Sequence, residues 1–415
     1  MSDEVLQPEV NIGLIGHVDH GKTTLTRALS GKWTDTHSEE QKRGITIKLG
    51  YAECDIYQHP DKEGPTSLQV NNEGGAEHLR RISIVDAPGH ESLMATMLAG
   101  TTVMDGAILL VAADERVPQA QTEEHLMALQ IAGVENIIVA QNKIDLLTDD
   151  QLRQNYEQIK SFLKDTKYED APIIPISAEE RVNIDYLLQA VQDHIPTPER
   201  DPTKKPRFLI TRSFDINRPG YTAEDLVGGV LGGSLTQGKL EVGDEITIKP
   251  GRIVTEHNQQ SAKPIKTKIT SLSSGNNRLD QATPGGSLGL MTTLDPSIVK
   301  SDNLVGNIVG DADDLPPVWK DIKLDLHLLD RVVGTAADKE VEQIKRGELL
   351  LLNVNSATTA GQVYELGKDM VRIKLRLPIC ADDRARVSIS RKMGTRFRLI
   401  GYGLLDAAES KSLEL

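Results

Sequence analysis

Continuous apolar runs alternate with helical patterns through the first half of the chain. Val10-Asn11-Ile12-Gly13-Leu14-Ile15 reads as a buried strand, and Thr23–Leu29 as the start of the helix that follows it. The same alternation returns in Ala107–Ala113 with Gln121–Ala132, and in Ile137–Ala140 with Leu152–Leu163. Strands without a polar face, separated by helices, predict a parallel sheet covered on both sides. The pattern stops at Pro196–Pro206, where four prolines (Pro196, Pro198, Pro202, Pro206) deny both helix and central strand. Beyond it, short alternations such as Phe208-Leu209-Ile210 and Glu245-Ile246-Thr247-Ile248 lie between Gly, Pro and Asn, with Gly228-Gly229, Gly232-Gly233, Gly238, Gly243 and Gly251 marking close turns. That style predicts an all-β barrel. A second break falls near Asp311-Ala312-Asp313-Asp314-Leu315-Pro316-Pro317. After it, Val371-Arg372-Ile373-Lys374-Leu375-Arg376-Leu377 alternates cleanly, with its basic side chains on one face. The expected architecture is a doubly wound, mostly parallel α/β domain over residues 1–205, then two all-β barrels over 206–317 and 318–415. The tail Asp406–Leu415 reads as frayed.

Length and composition refine this picture. A chain of 415 residues is expected to split into two or three domains. Its two cysteines, Cys54 and Cys380, exclude a disulfide scaffold and suit a reducing interior. The polar N-terminus lacks a signal pattern, and no apolar run approaches the length of a bilayer span, so a soluble cytoplasmic protein with no membrane partner is expected. A formal charge of −14 taken whole argues against nucleic acid as a partner. The distribution argues otherwise: Arg372, Lys374, Arg376, Arg384, Arg386, Arg391, Lys392, Arg396 and Arg398 face only Asp382 and Asp383 in that stretch. Such a face suits an RNA, an acidic protein or plain solvent.

The chemistry begins at Gly16-His17-Val18-Asp19-His20-Gly21-Lys22-Thr23, which fits G-x-x-x-x-G-K-[ST] between a strand and a helix. The glycines let successive backbone N–H groups curl toward an anion, and the helix N-terminus adds partial positive charge. Lys22 would reach the β- and γ-phosphates and the Thr23 hydroxyl would take a Mg²⁺ position. Asp19, His20, Gly21, Lys22, Thr23 and Thr24 make up the expected phosphate-binding set.

Asp86-Ala87-Pro88-Gly89 follows the strand-like Ile82-Ser83-Ile84-Val85. An acidic residue there holds Mg²⁺ through water in nucleoside triphosphatases, and the Gly89 N–H can sense the γ-phosphate. Asn142-Lys143-Ile144-Asp145 follows another apolar strand. The Asp145 carboxylate can accept from guanine N1–H and its N2 amino group together, which adenine does not offer. Asn142 can bond the base and tie loops together, while the Lys143 stem can cover the base face. Ser177-Ala178-Glu179 would present backbone N–H to guanine O6. The first domain is therefore read as an α/β P-loop GTPase domain, with GTP as substrate.

These motifs, with Arg43-Gly44-Ile45-Thr46-Ile47 and His90 after Gly89, resemble the translational GTPases, the family of elongation factor Tu. Within it the chain is more similar to the γ subunits of archaeal and eukaryotic translation initiation factor 2. The stretches that carry this are Trp33-Thr34, His37-Ser38-Glu39-Glu40, Lys42–Tyr51, Gly89–Gly100, Gly228–Ser234 and Leu294-Asp295-Pro296. The resemblance implies a GTP-gated carrier of initiator methionyl-tRNA that works with α and β subunits and delivers to the small ribosomal subunit. It implies that Thr23 and Thr46 bind the catalytic Mg²⁺, with Asp86 acting through water. Asp19 and the Gly44 carbonyl match a second Mg²⁺ site, although an aspartate in such a loop can also serve by bonding the backbone. It further implies that Thr46 senses the γ-phosphate with Gly89, that His90 is catalytic and orients the attacking water, and that Val18 and Ile45 form an apolar gate before it.

No arginine is placed as an in-cis finger, so slow, partner-triggered hydrolysis is expected. Relatives often carry a zinc knuckle of two C-x-x-C pairs. The segment Cys54–His78 offers one cysteine with His59 and His78 and lacks those paired spacings, so no zinc and a mobile polar loop are expected. Two other readings stand beside this one. An elongation factor, general or selenocysteine-specific, would carry elongator aminoacyl-tRNA without partner subunits. A GTPase subunit of the sulfate-activating type would bind no tRNA.

Overall fold

The computed structural model describes residues 7–34, 40, 46–217, 220, 222, 226–256, 259–334 and 340–413. They fall into two compact units. One holds residues 8–198 with Val333 and Gly334; the other holds Gln7, residues 199–332 and those from 340 onward.

The first unit runs β1 (Val10–Gly16), α1 (Lys22–Ser30), β2 (Gly50–Gln58), β3 (Leu68–Gln69), β4 (Glu77–Asp86), α2 (Met94–Thr101), β5 (Gly106–Ala112), α3 (Ala120–Ala132), β6 (Asn136–Asn142), α4 (Asp149–Leu163), β7 (Ile173–Pro175) and α5 (Ile184–His194). The strands form one sheet in the order β3-β2-β4-β1-β5-β6-β7. β4, β1, β5, β6 and β7 are parallel, β2 runs against β4, and the short β3 runs against β2. Every residue of β1 and β5 is buried, because helices cover both faces of the sheet. On one face Ile12, Leu14, Ile108, Leu110 and Ile138 pack with Leu25 of α1 and with Leu187 and Leu188 of α5. Each such side chain contributes about 1.5–3 kcal/mol by leaving water. The chain leaves β1 toward β4 on one side and returns to β5 on the other, so the carboxyl end of β1 is the switch point at which open α/β sheets bind ligands.

The segment between Cys54 and His78 is more ordered in its pairing than a plain loop. Leu68–Gln69 pairs back onto Tyr57 and Gln58. Cys54 belongs to the apolar core, and burial pushes its thiol up to about 12. Nε2 of His78 lies 2.8 Å from Asp55, which Arg81 also grips at 2.7 Å. Burial and ion pairing thus occupy Cys54 and His78, while His59 Nδ1 accepts from Asp61 N at 3.2 Å.

The second unit contains two barrels. Its first strands are β8 (Arg207–Phe214), β9 (Val230–Gln237), β10 (Leu240–Glu241), β11 (Glu245–Glu256), β12 (Gln259–Ser274), β13 (Asn277–Leu279), β14 (Gln281–Ala282), β15 (Leu288–Thr292) and β16 (Ile308–Gly310). The order β11-β16-β8-β9-β15-β12 closes through β11–β12 pairing, around Phe208, Ile210, Leu231, Ile248 and Leu290. The following strands are β17 (Val318–Leu328), β18 (Leu349–Val354), β19 (Ala357–Leu366), β20 (Met370–Cys380), β21 (Arg386–Met393) and β22 (Arg396–Ser412). They close as β17-β20-β19-β18-β21-β22. Closure removes the unpaired edges that an open sheet of this kind would expose.

Two readings of the C-terminal region change. The tail that reads as frayed continues β22 as far as Ser412, whose partner is Trp319. The long β17 supplies the backbone acceptors and donors that make this possible, and local composition does not report them. In β20, Val371, Ile373 and Leu375 are buried and the basic side chains face outward. Much of that charge is met within the barrel: Arg372 pairs with Glu365 and Glu409, Arg384 with Asp325 and Arg391 with Glu348, and Arg398 is buried. The count along the sequence therefore overstates the positive charge that a partner would meet.

Candidate functional site

Strand register brings the scattered motifs together at the carboxyl edge of the sheet. Leu14 of β1 is level with Asp86 of β4, Gly16 with Leu110 of β5, and Ala112 of β5 with Asn142 of β6. From Gly16 the chain turns through Val18, which is half-buried, and Asp19, which is exposed with φ 64°. It enters α1 at Lys22 from Gly21 in the left-handed region. Gly21 has no side chain to cap the helix and the first turn holds no acid, so the partial positive charge of the helix N-terminus faces the loop without a carboxylate from α1 to offset it. Lys22 is buried, and its Nζ donates to the carbonyls of Gly16 at 3.0 Å and His17 at 2.7 Å. Gly89 comes so close that a Cβ there would lie 2.5 Å from that Nζ and 2.7 Å from Gly16 O. Only glycine lets the segment after Asp86 approach the loop in this way.

Four oxygen-bearing side chains converge beside α1. The Thr23 hydroxyl donates to Asp86 Oδ2 at 2.9 Å and lies 3.3 Å from the Thr46 hydroxyl. Thr34 also donates to Asp86 Oδ2, at 2.6 Å. Asp86 is fully buried, and a buried carboxylate requires donors or a cation. The hydroxyls of Thr23 and Thr46 and the Asp86 carboxylate are hard oxygen donors of the kind Mg²⁺ takes, so these three residues fit that ion. Among the described residues, no group of three or more His, Cys, Asp or Glu side chains is placed to hold a metal. Gly44 and Ile45, expected at the second metal site and the gate, lie outside the described residues. So do His37-Ser38-Glu39 and Lys42-Arg43. Glu40 is buried and accepts from the N–H groups of Ile47 and Lys48, fixing the backbone just after Thr46.

On the base side, Asn142 joins two loops. Its Nδ2 donates to His20 O and its Oδ1 accepts from Ala178 N, each at 2.9 Å. Lys143 stands in the left-handed region and pairs with Asp114 at 3.4 Å, and Asp145 is exposed one turn on. The Ser177 N–H goes to Val182 O at 3.2 Å. An O6 bond from the Ala178 N–H would therefore be shared with Asn142, whereas the sequence suggests an amide held open for the base. Glu179 is exposed beside it.

His90 caps the short turn Glu91–Leu93. Its Nδ1 accepts from Ser92 N at 3.2 Å and meets the Ser92 hydroxyl at 2.8 Å. Three more imidazoles surround the phosphate loop. His17 and His20 meet edge to face at 5.3 Å. His20 Nδ1 must donate to the Leu110 carbonyl, 2.8 Å away, and its Nε2 lies 3.3 Å from Glu115. His125, on α3, is fully buried and its Nδ1 accepts from Gly16 N at 3.2 Å. Burial lowers the pKa of all three, and the Lys22 charge adds to it. His125 was not singled out from the sequence. The available signal is its place with Thr122 and Leu129 on the face of α3 that packs inward, where a histidine needs a partner.

Residues 7–197 match the model of the elongation factor Tu GTP binding domain, and residues 320–405 that of initiation factor eIF2 gamma, C terminal. The translation initiation factor 2 subunit gamma of Pyrococcus horikoshii is 56% identical over 403 residues, covering 96% of this chain and 98% of that protein. The chain belongs to the translation initiation factor 2 γ-subunit family. The same subunit of Methanocaldococcus jannaschii is 56% identical over 402 residues, with 96% and 98% covered. That of Natronomonas pharaonis is 53% identical over 409 residues, with 98% and 100% covered. Among solved structures, elongation factor SelB of Methanococcus maripaludis with the GTP analogue GppNHp gives a TM-score of 0.71 at 21% identity, over 96% of this chain and 79% of that one. At that identity the likeness is one of fold. As a γ-subunit family member with an elongation factor Tu-type GTP-binding domain, the chain is a translational GTPase. Among the described residues, no helix is long and apolar enough to cross a membrane.

Proposed function

We propose that the chain is the GTP-hydrolysing core of a cytoplasmic initiation factor. It would bind initiator methionyl-tRNA when GTP is bound, work with α and β subunits, and deliver the tRNA to the small ribosomal subunit. The observation that carries this reading is the convergence of Lys22, Thr23, Thr46, Asp86 and Asn142 at one sheet edge, in a chain 56% identical over nearly its whole length to a γ subunit.

In this reading Lys22, held by the Gly16 and His17 carbonyls, reaches the β- and γ-phosphates. The backbone from Asp19 to Thr24 receives the remaining phosphate oxygens. Thr23 and Thr46 would hold Mg²⁺, with Asp86 acting through water, and the ion supplies charge that offsets the phosphate oxygens during transfer. Asp19 with Gly44 is the proposed second ion site. Asp145 reads the guanine edge, Lys143 covers the ring, Asn142 keeps the loops in register, and the Ser177–Glu179 loop faces O6. Gly89 and Thr46 report the γ-phosphate. His90 Nδ1 is committed to Ser92, so holding the attacking water falls to Nε2, behind Val18 and Ile45. Catalysis is then positioning and charge stabilisation, with triggering left to a partner.

Filter binding of initiator methionyl-tRNA tests this, with GTP and then GDP, with and without the α subunit. Tight binding that requires GTP and the methionylated initiator is expected. Equal binding of elongator aminoacyl-tRNA would favour an elongation-factor role, and no GTP dependence would reject the tRNA-carrier reading.

A further inference from the structure

The first glycine of the phosphate loop is fixed from behind. Gly16 has φ 144°, and a side chain there would run into the Leu110 carbonyl of β5, so only glycine fits. Its N–H turns to Nδ1 of His125, 3.2 Å away in a fully buried position. A ring nitrogen can accept that bond only if the imidazole is neutral with its proton on Nε2. Burial first, then the charges of Lys22, His17 and His20, keep it neutral by driving its pKa to about 3. The carbonyls of Gly16 and His17 in turn hold Lys22. The peptide that the imidazole holds is thus one before that of the Gly16 carbonyl and two before that of the His17 carbonyl, the pair that sets the position of the lysine.

We propose that His125 is a positioning residue for nucleotide binding, a neutral acceptor that orients Gly16 and His17 so that their carbonyls aim Lys22 at the phosphates. The proposal rests on Gly16–Thr23 being the phosphate loop. The Nε2 proton of this tautomer is buried without a hydrogen-bond partner, so the bond at Nδ1 is what the imidazole contributes at this position. A buried N–H left without its acceptor is costly, and the loop would relieve that cost by rotating the peptide, taking the carbonyls away from Lys22.

Two substitutions in the full chain separate acceptor from filler. In His125→Asn the side-chain oxygen falls where Nδ1 was, at reduced volume. In His125→Leu the bulk is kept and the acceptor is gone. Titration with fluorescent GDP and GTP analogues should show both nucleotides weakened about tenfold in His125→Leu and within about threefold of wild type in His125→Asn. A space-filling role predicts the reverse order, and that order, equal losses, or two wild-type affinities would overturn the proposal. Should either variant fail to fold, ¹⁵N-histidine NMR of the wild-type protein decides. An unprotonated Nδ1 with a proton on Nε2 is expected, and an Nδ1–H tautomer or a charged ring would overturn the proposal. Lys22→Ala serves as the control for the loop itself. If it binds nucleotide normally, the phosphate-loop reading fails, whatever the tautomer of His125.

Discussion

Replacing Asn142 with alanine should damage the site before any nucleotide arrives. Its amide makes two buried bonds of 2.9 Å, one from Nδ2 to His20 O and one to Oδ1 from Ala178 N, and the residue is only 3% exposed. Alanine removes both partners at once and strands a buried carbonyl and a buried N–H. Each orphan costs about 1–3 kcal/mol, partly relieved by loop movement, so about 2–4 kcal/mol of local stability should be lost. A loss of about 2 kcal/mol corresponds to about thirtyfold faster exchange of amides protected by closing of these loops. Hydrogen–deuterium exchange of the nucleotide-free protein should therefore show fast exchange at Ala178 and through residues 16–21, with β20 in the other unit unchanged. Guanine nucleotide affinity should fall by at least the same factor, because binding must now also order the loops. Ala178 protection within about twofold of wild type, together with weakened nucleotide binding, would refute the argument. It would assign Asn142 to the base alone.

Three other outcomes follow from the same geometry. Asp145→Asn should lose guanine nucleotides and gain xanthine nucleotides in competition binding, because the carboxylate is matched to the N1–H and N2 amino donors of guanine; unchanged guanine affinity would move the base pocket elsewhere. His90→Ala should keep wild-type GTP affinity and lose partner-triggered hydrolysis in a single-turnover phosphate-release assay, and normal triggered turnover would remove His90 from catalysis. The folded-state pKa of His125, about 3, lies below the 6.5 of an ordinary histidine. Its contribution to stability is therefore complete above pH 6.5 and is lost as pH falls toward 3, at about 1.4 kcal/mol per unit. Wild type should thus lose about 2 kcal/mol between pH 7 and pH 5 from this group alone. Thermal melts of His125→Asn should show a shallower fall over that window, and parallel slopes would refute the assignment.

The sequence by itself determined what is local and backbone-borne. The loop proposed to bind phosphate is eight contiguous residues between a strand and a helix, and that role needs little beyond two glycines, a lysine and a helix N-terminus. The motif proposed to read guanine is similarly compact, and the change from long apolar strands to short Gly-punctuated ones marks where the α/β unit gives way to barrels. Val371–Leu377 was legible as a strand for the same reason, since side-chain alternation is a property of successive residues. Tertiary structure alone decided what those residues touch. His125 reaches Gly16 across 109 positions, Asn142 reaches His20 across 122, and Thr23 meets Asp86 across 63. It also decided that Arg372 and Arg391 are largely answered by glutamates, and that the tail has a strand to pair with. A hydrogen bond is set by about 3 Å of space and is indifferent to sequence separation. In a parallel sheet each crossover returns the chain to the same edge, so residues from distant segments meet there, and no local pattern names the partner.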